Sequence, residues 1–142
     1  MRFQHRVPVR FRDLDAMGHV HHSAPLLYIE EARAAYWRSV AGRASVADID
    51  YVMGEVSLRF HREIHYPAEL VIGLRVSELG GSSFRMEYEV RDEAGELLVS
   101  GTSVQVLYDY EARRSTPIPA ALRGRIETYE RGPAAERVPL SG

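Results

Sequence analysis

Residues 9–33 read VRFRDLDAMGHVHHSAPLLYIEEAR, and this stretch decides the fold. It begins with strand alternation, breaks near a glycine, and resumes with helical spacing. Val7, Val9 and Phe11 alternate with Pro8, Arg10 and Arg12, which predicts a strand over 6–12. Pro8 assigns it to a sheet edge or to the strand's beginning. Asp13 and Asp15 occupy the break, and Gly18 lets the backbone bend sharply. Ser23 is an N-cap candidate, and Pro25 falls in the first turn, where its missing N–H costs little. Leu27, Ile29, Ala32, Ala35, Tyr36 and Val40 then recur at helical spacing up to a stop at Gly42. Leu26, Tyr28 and Trp37 widen the apolar face, so the helix must be covered on most sides. Its first turn offers free N–H groups and partial positive charge. A carboxylate beside such a terminus is suited to attack on a polarised carbonyl.

The remainder reads as strands. Residues 43–54 are irregular, with Asp48 and Asp50 around Ile49, a length that suits a crossover or a flap. Strand candidates follow at 55–65, at Leu70 to Val76, at Phe84 to Val90 and at Leu97 to Tyr108. Turn residues separate them: Tyr66-Pro67-Ala68-Glu69, Gly80-Gly81-Ser82-Ser83 and Asp92-Glu93-Ala94-Gly95. Short turns between alternating runs predict antiparallel neighbours in a meander. Residues 120–130 read as a short helix and 131–142 as a loose tail. One domain over 1–130 is expected, with a five-stranded antiparallel sheet wrapped around one long central helix. Such a sheet leaves a face and an edge open, which implies a homo-oligomer.

The chain has 142 residues, enough for one domain with a proper core. Formal net charge is −2, so no global field draws it to nucleic acid or to a membrane surface. All 18 basic residues are arginine, which excludes a catalytic lysine or a Schiff base. Cysteine is absent, so disulfides, thiolate metal sites and Cys nucleophiles are excluded. No apolar run is long enough to span a bilayer, and MRFQHRVP lacks a signal peptide's apolar core. The expected location is cytoplasmic.

The run DLDAMGHVHH, followed by Tyr28, Glu30, Ala32 and Arg33 in a Y-x-E-x-A-R pattern, resembles the hotdog-fold acyl-CoA thioesterases of the 4-hydroxybenzoyl-CoA thioesterase type. The likeness continues through FHREIHYPAELVIGLRVSELGGSSF and RRSTPIP, covering nearly all of residues 5–130. It implies an α+β hotdog fold with the active site between two subunits of a homodimer or homotetramer. It also implies an acyl-CoA or acyl-carrier-protein thioester as substrate, with no cofactor and no metal. The catalytic carboxylate falls on Asp15, and the backbone N–H that holds the thioester oxygen falls on His22. Where the family often has N-N-x-x-Y after G-H-V, this chain has H-H-S-A-P, so His21, His22 and Pro25 bear on acyl preference.

Each of these residues also has a plainer reading. Asp15 could cap its loop by bonding backbone N–H groups. Asp13 is structural, bonding the loop or an arginine such as Arg12. Gly18 serves the bend; with His19 and His21 it is placed beside the substrate. Glu30 and Glu31 could act in catalysis, but Glu30 is expected to pair with Arg33 one turn on. His19, His21 and His22 could hold a metal with Asp13 or Asp15, although no metal-site spacing such as H-E-x-x-H is present. GTSVQ around Ser103 lacks the second glycine of a nucleophile elbow and lies within a strand. Arg59, Arg62, Arg85, Arg113 and Arg114 are candidates for the CoA phosphates, Arg59 and Arg62 foremost. Two rival functions stand beside hydrolysis. One is hydration of an enoyl thioester with Asp15 and His19 as acid and base, and the other is acyl-thioester binding without turnover.

Overall fold

The computed structural model describes residues 1–43 and 50–131. Six strands and two helices follow in the order β1 (Phe3–Pro8), α1 (Ala24–Ser39), β2 (Tyr51–Phe60), β3 (Glu69–Leu79), β4 (Ser83–Arg91), β5 (Leu97–Asp109), β6 (Arg114–Ser115) and α2 (Ala120–Arg131). The main sheet is antiparallel with strand order β1-β3-β4-β5-β2, and the two-residue β6 pairs the end of β5. This is the expected five-stranded sheet, with β1 on an edge. The central helix is shorter than anticipated, 16 residues that end before Gly42, and α2 adds a second helix of 12.

The predicted four-strand meander holds only for β3, β4 and β5. β2 crosses to the far end of the sheet and pairs β5, so β2 and β3 are not neighbours. Tyr66 and Pro67 therefore belong to a crossover and not to a hairpin. Ile64, in the middle of that connection, is buried and anchors it to the core. β2 begins at Tyr51, four residues before the expected start, and steps through a bulge between Met53 and Glu55. Asp48 lies outside the described residues, as does the 132–142 segment.

The first strand also differs. It occupies residues 3–8, and Phe11 to Asp13 form a single 3-10 turn. The cause is local: Asp13 Oδ2 accepts the Arg10 N–H at 2.9 Å while the Asp13 N–H donates to the Arg10 carbonyl. That turn swings Phe11 out, to 75% exposure, while Val7 and Val9 stay buried.

α1 lies on the sheet through Tyr28, Ile29, Ala32, Arg33, Tyr36 and Trp37, all buried. Trp37 stacks on Phe84 of β4 at 5.2 Å, and the Tyr51 ring meets it edge-on at 5.1 Å. Such aromatic pairs add about 0.5–1.5 kcal/mol each beyond their buried area. Tyr36 reaches Phe3 of β1, so the helix touches strands from one edge of the sheet to the other. Leu27, expected on the buried face, is exposed. Inward positions of β3 and β4 alternate as expected: Leu70, Ile72, Leu74, Val76, Phe84, Met86, Tyr88 and Val90 are all buried. β2 is different, because it forms the open edge: Met53, Val56 and Phe60 are all substantially exposed.

The helix carries one charge inward. Arg33 is 3% exposed, and its Nη1 donates to the Tyr88 hydroxyl at 2.9 Å. Tyr88 contacts Ser103 Oγ, to which Gln105 Nε2 also donates at 2.6 Å. The expected Glu30–Arg33 pair does not form, because Arg33 points into the core.

Candidate active site

The chain between β1 and α1 closes into a small ring around Asp15. Its backbone N–H donates to the His19 carbonyl at 2.7 Å, and its carbonyl accepts the Gly18 N–H at 3.0 Å. A bridge between Leu14 and Val20 joins the two sides. Gly18 sits at φ 79°, a conformation that disfavours any residue with a Cβ. Below the ring, the His21 N–H donates to the Asp13 carbonyl at 2.8 Å. Asp13 Oδ2 also accepts the Tyr28 hydroxyl at 2.6 Å, which fastens the ring to α1. Asp13 is thus bonded to the Arg10 backbone and to Tyr28, and not to the Arg12 side chain.

Asp15 Oδ1 accepts the Met17 N–H at 2.9 Å and the His19 N–H at 3.1 Å. The loop-capping geometry is real, but it uses one oxygen only. Oδ2 accepts no hydrogen bond among the described residues. The His19 N–H above all, then the Met17 N–H, hold the carboxyl below the usual carboxylate range, against the opposing effect of desolvation. Asp15 is therefore ionised at neutral pH.

Asp15 lines a cavity of about 470 Å³ together with His19, His21, His22, Pro25 and the 60–64 segment that follows β2. The two ends of the wall come from chain segments some forty residues apart, joined because the crossover from β2 runs past the start of α1. The His22 N–H, just ahead of the helix, has no partner among the described residues. Ser23 occupies the N-cap position, but its hydroxyl makes no cap bond; it faces His21 Nδ1 at 2.8 Å. Of the first turn of α1, Pro25 lines the cavity and the Ala24 N–H donates to the His21 carbonyl at 2.9 Å.

Of the residues placed at the site from sequence, Asp15, His19, His21, His22 and Arg62 come together. Gly18 shapes the ring without lining the cavity. Arg59 is not among the residues lining the Asp15 cavity; it lines a separate depression of about 280 Å³ with Ser57, Ser100 and Thr102. Alternation along β2 turns it away from the cavity that Phe60 lines. Arg62 pairs with Glu96 and stands between the Asp15 cavity and a second one of about 500 Å³, lined by Ile64, Leu70 and Leu98 among others. Val20, Phe60, His61, Glu63 and Ile64 also line the Asp15 cavity, and sequence reasoning misses them. FHREI is visible as a stretch, but no single-chain signal shows that its backbone passes the helix start. Among the described residues, no three His, Asp or Glu side chains are grouped to hold a metal ion.

The fold is shared with known proteins. A thioesterase from Thermus thermophilus, solved in complex with coenzyme A and Zn, superposes with a TM-score of 0.82 at 35% identity, over 93% of this chain and 97% of that one. A 1,4-dihydroxy-2-naphthoyl-CoA thioesterase from Synechocystis shares the fold, with a TM-score of 0.79 at 22% identity over 92% of this chain and 98% of that one. The protein YsmA of Bacillus subtilis (strain 168) is 26% identical over 80% of this chain and 77% of its own length. The family model of the thioesterase-like superfamily matches residues 9–126. With its antiparallel hotdog sheet and its helix carried on that sheet, this chain belongs to the thioesterase-like superfamily.

Proposed function

We propose that the protein hydrolyses an acyl-CoA thioester, with Asp15 as nucleophile or general base and the His22 N–H as an oxyanion donor. The observation that carries this reading is the pairing, in one cavity, of an ionised carboxylate with a free oxygen and a helix start with a free N–H. In the direct route, Asp15 Oδ2 attacks the thioester carbon, the C–S bond breaks, and CoA leaves as thiolate. Water then hydrolyses the resulting mixed anhydride. In the other route, Asp15 takes a proton from water as that water attacks the same carbon. Either way negative charge grows on the carbonyl oxygen, and an aimed backbone donor is worth about 10²–10³ in rate. The CoA complex of the Thermus relative supports CoA as the thiol half of the substrate.

The open β2 edge, with Met53, Val56 and Phe60 exposed, supports assembly of two copies along that strand. Measuring thiol release from short, long, branched and aromatic acyl-CoAs, with and without Asp15→Asn, tests the reading. Wild-type turnover that the substitution abolishes is expected. Full hydrolysis by the variant would remove Asp15 from the mechanism.

A further inference from the structure

The Asp15 cavity is unusual in its imidazoles. His19, His21, His22 and His61 all line it, beside Arg62. Resting on the thioesterase reading, we propose that the acyl group it takes carries a hydrogen-bond acceptor near the thioester, a hydroxyl, oxo or carboxylate oxygen, and that His21 recognises that oxygen through Nε2–H.

The tautomer of His21 follows from its bonds. The backbone N–H of Ser23 donates to His21 Nδ1 at 3.1 Å. An amide N–H only donates, so Nδ1 must present a lone pair. The proton of the neutral ring is then on Nε2. With that tautomer, Ser23 Oγ, 2.8 Å from the same Nδ1, donates its own proton there. Nε2–H has no partner among the described residues. The ring is also held in place: its neighbour His22 stacks on it with centroids 4.2 Å apart. A fixed, unspent donor on the wall of a cavity is the arrangement that discriminates by hydrogen bonding.

The surroundings favour a mixed ligand. Val20, Pro25, Phe60 and Ile64 give the cavity an apolar side for carbon atoms. His61 Nε2 faces Ser100 Oγ at 2.8 Å, which orients a second imidazole by the same kind of serine contact. A saturated acyl chain would strip water from His21 Nε2–H and return no acceptor. An oxygenated chain of equal length replaces that water.

The test compares kcat/KM for matched pairs: butyryl-CoA against 3-hydroxybutyryl-CoA, acetoacetyl-CoA and succinyl-CoA. At least one oxygenated member is expected to exceed butyryl-CoA by about tenfold or more. His21→Phe should bring that ratio close to one. Independently of activity, ¹⁵N spectra of the wild-type histidines should show His21 protonated at Nε2 and bare at Nδ1 above pH 7. Equal rates across the pairs, or a proton on Nδ1, overturn the proposal. So does a loss in His21→Phe that is uniform over all acyl groups, which would make His21 a general oxyanion donor. If no thioester turns over at all, hydrolysis itself fails; calorimetric affinities for the same pairs then decide the acyl preference alone.

Discussion

The hydroxyl of Tyr28 donates to Asp13 Oδ2 at 2.6 Å, and this contact ties the ring that carries Asp15 to the second turn of the helix. Tyr28 is buried and Asp13 half-buried, so the bond is shielded and charge-assisted. Burial first, and then the acidic partner, push the Tyr28 hydroxyl far above its ordinary range, and it remains a donor at every working pH. Tyr28→Phe removes the donor and leaves the ring in place. A loss of about 1–2 kcal/mol in unfolding free energy is expected by denaturant titration. The larger effect should fall on turnover, since Asp15 and the His22 N–H would no longer be held in one frame. A drop in kcat of about tenfold, with KM little changed, is expected from thiol-release kinetics. An unchanged kcat would show that the ring holds its shape without Tyr28.

On the proposed mechanism, Asp15 sets a definite acid limit. Its folded value lies below the ordinary 3.8, chiefly through the His19 N–H, so the carboxylate stays charged throughout pH 5–8. The acid limb of kcat/KM that reports Asp15 should therefore fall below the usual carboxylate range. Any limb between pH 5 and 8 should survive in a variant that retains Asp15 but lacks one histidine of the cavity only if that histidine is not its source. The check is a pH–rate profile taken with brief acid exposure, for wild type and for each of His19→Gln, His21→Gln, His22→Gln and His61→Gln. A limb near pH 6 that no histidine variant moves would mean that Asp15 titrates there, in conflict with its two backbone bonds.

Much of this is legible in the residues. The period-two runs of β3 and β4 mark their buried faces correctly because both strands are interior and one side of each meets the helix. The Asp-Gly break marks the ring around Asp15. The order of the strands is not legible, because Tyr66-Pro67 looks like a hairpin turn whether its flanking strands pair or separate. Only the burial of Ile64 and the pairing of β2 with β5 reveal a crossover. Arg33 departs from expectation for a related reason. Helical spacing places it near Glu30, but Ser103 and Gln105 on β5 offer a polar lining that a β-branched run does not advertise. Phe11 leaves the strand pattern because one side chain, Asp13, ends the strand early.

Glu130 should give the fold a pH dependence of its own. Its Oε2 accepts the Tyr36 hydroxyl at 2.5 Å and the Val76 N–H at 2.8 Å, joining α2 to both α1 and β3. Burial raises the carboxyl above its ordinary 4.5 and outweighs those two donors. The folded state therefore binds this proton more tightly than the unfolded chain. Its contribution to stability is complete below pH 4.5 and is lost as pH rises through the raised folded value. Glu130→Gln removes the titration. The melting temperature of wild type relative to Glu130→Gln should be highest near pH 4 and should decline toward pH 7. A difference that is flat over that interval would mean the carboxyl titrates alike in both states.

Two glycines separate backbone conformation from space. At Gly101, a Cβ would lie 2.6 Å from the Ser57 carbonyl oxygen and 2.6 Å from Leu58 Cδ2. The backbone oxygen belongs to β2, so relief requires the edge strand to move off β5. Gly101→Ala is expected to cost about 1–3 kcal/mol as an overpacking strain, and to weaken self-association if two copies meet along β2. At Gly18, nothing lies within 4 Å of a Cβ, yet φ is 79°. Gly18→Ala should cost about 1 kcal/mol, through conformation alone, and should leave self-association unchanged. Chemical denaturation and sedimentation velocity on the two variants provide the comparison. If Gly18→Ala dissociated the assembly and Gly101→Ala did not, the contact between copies would lie at the Asp15 ring and not along β2.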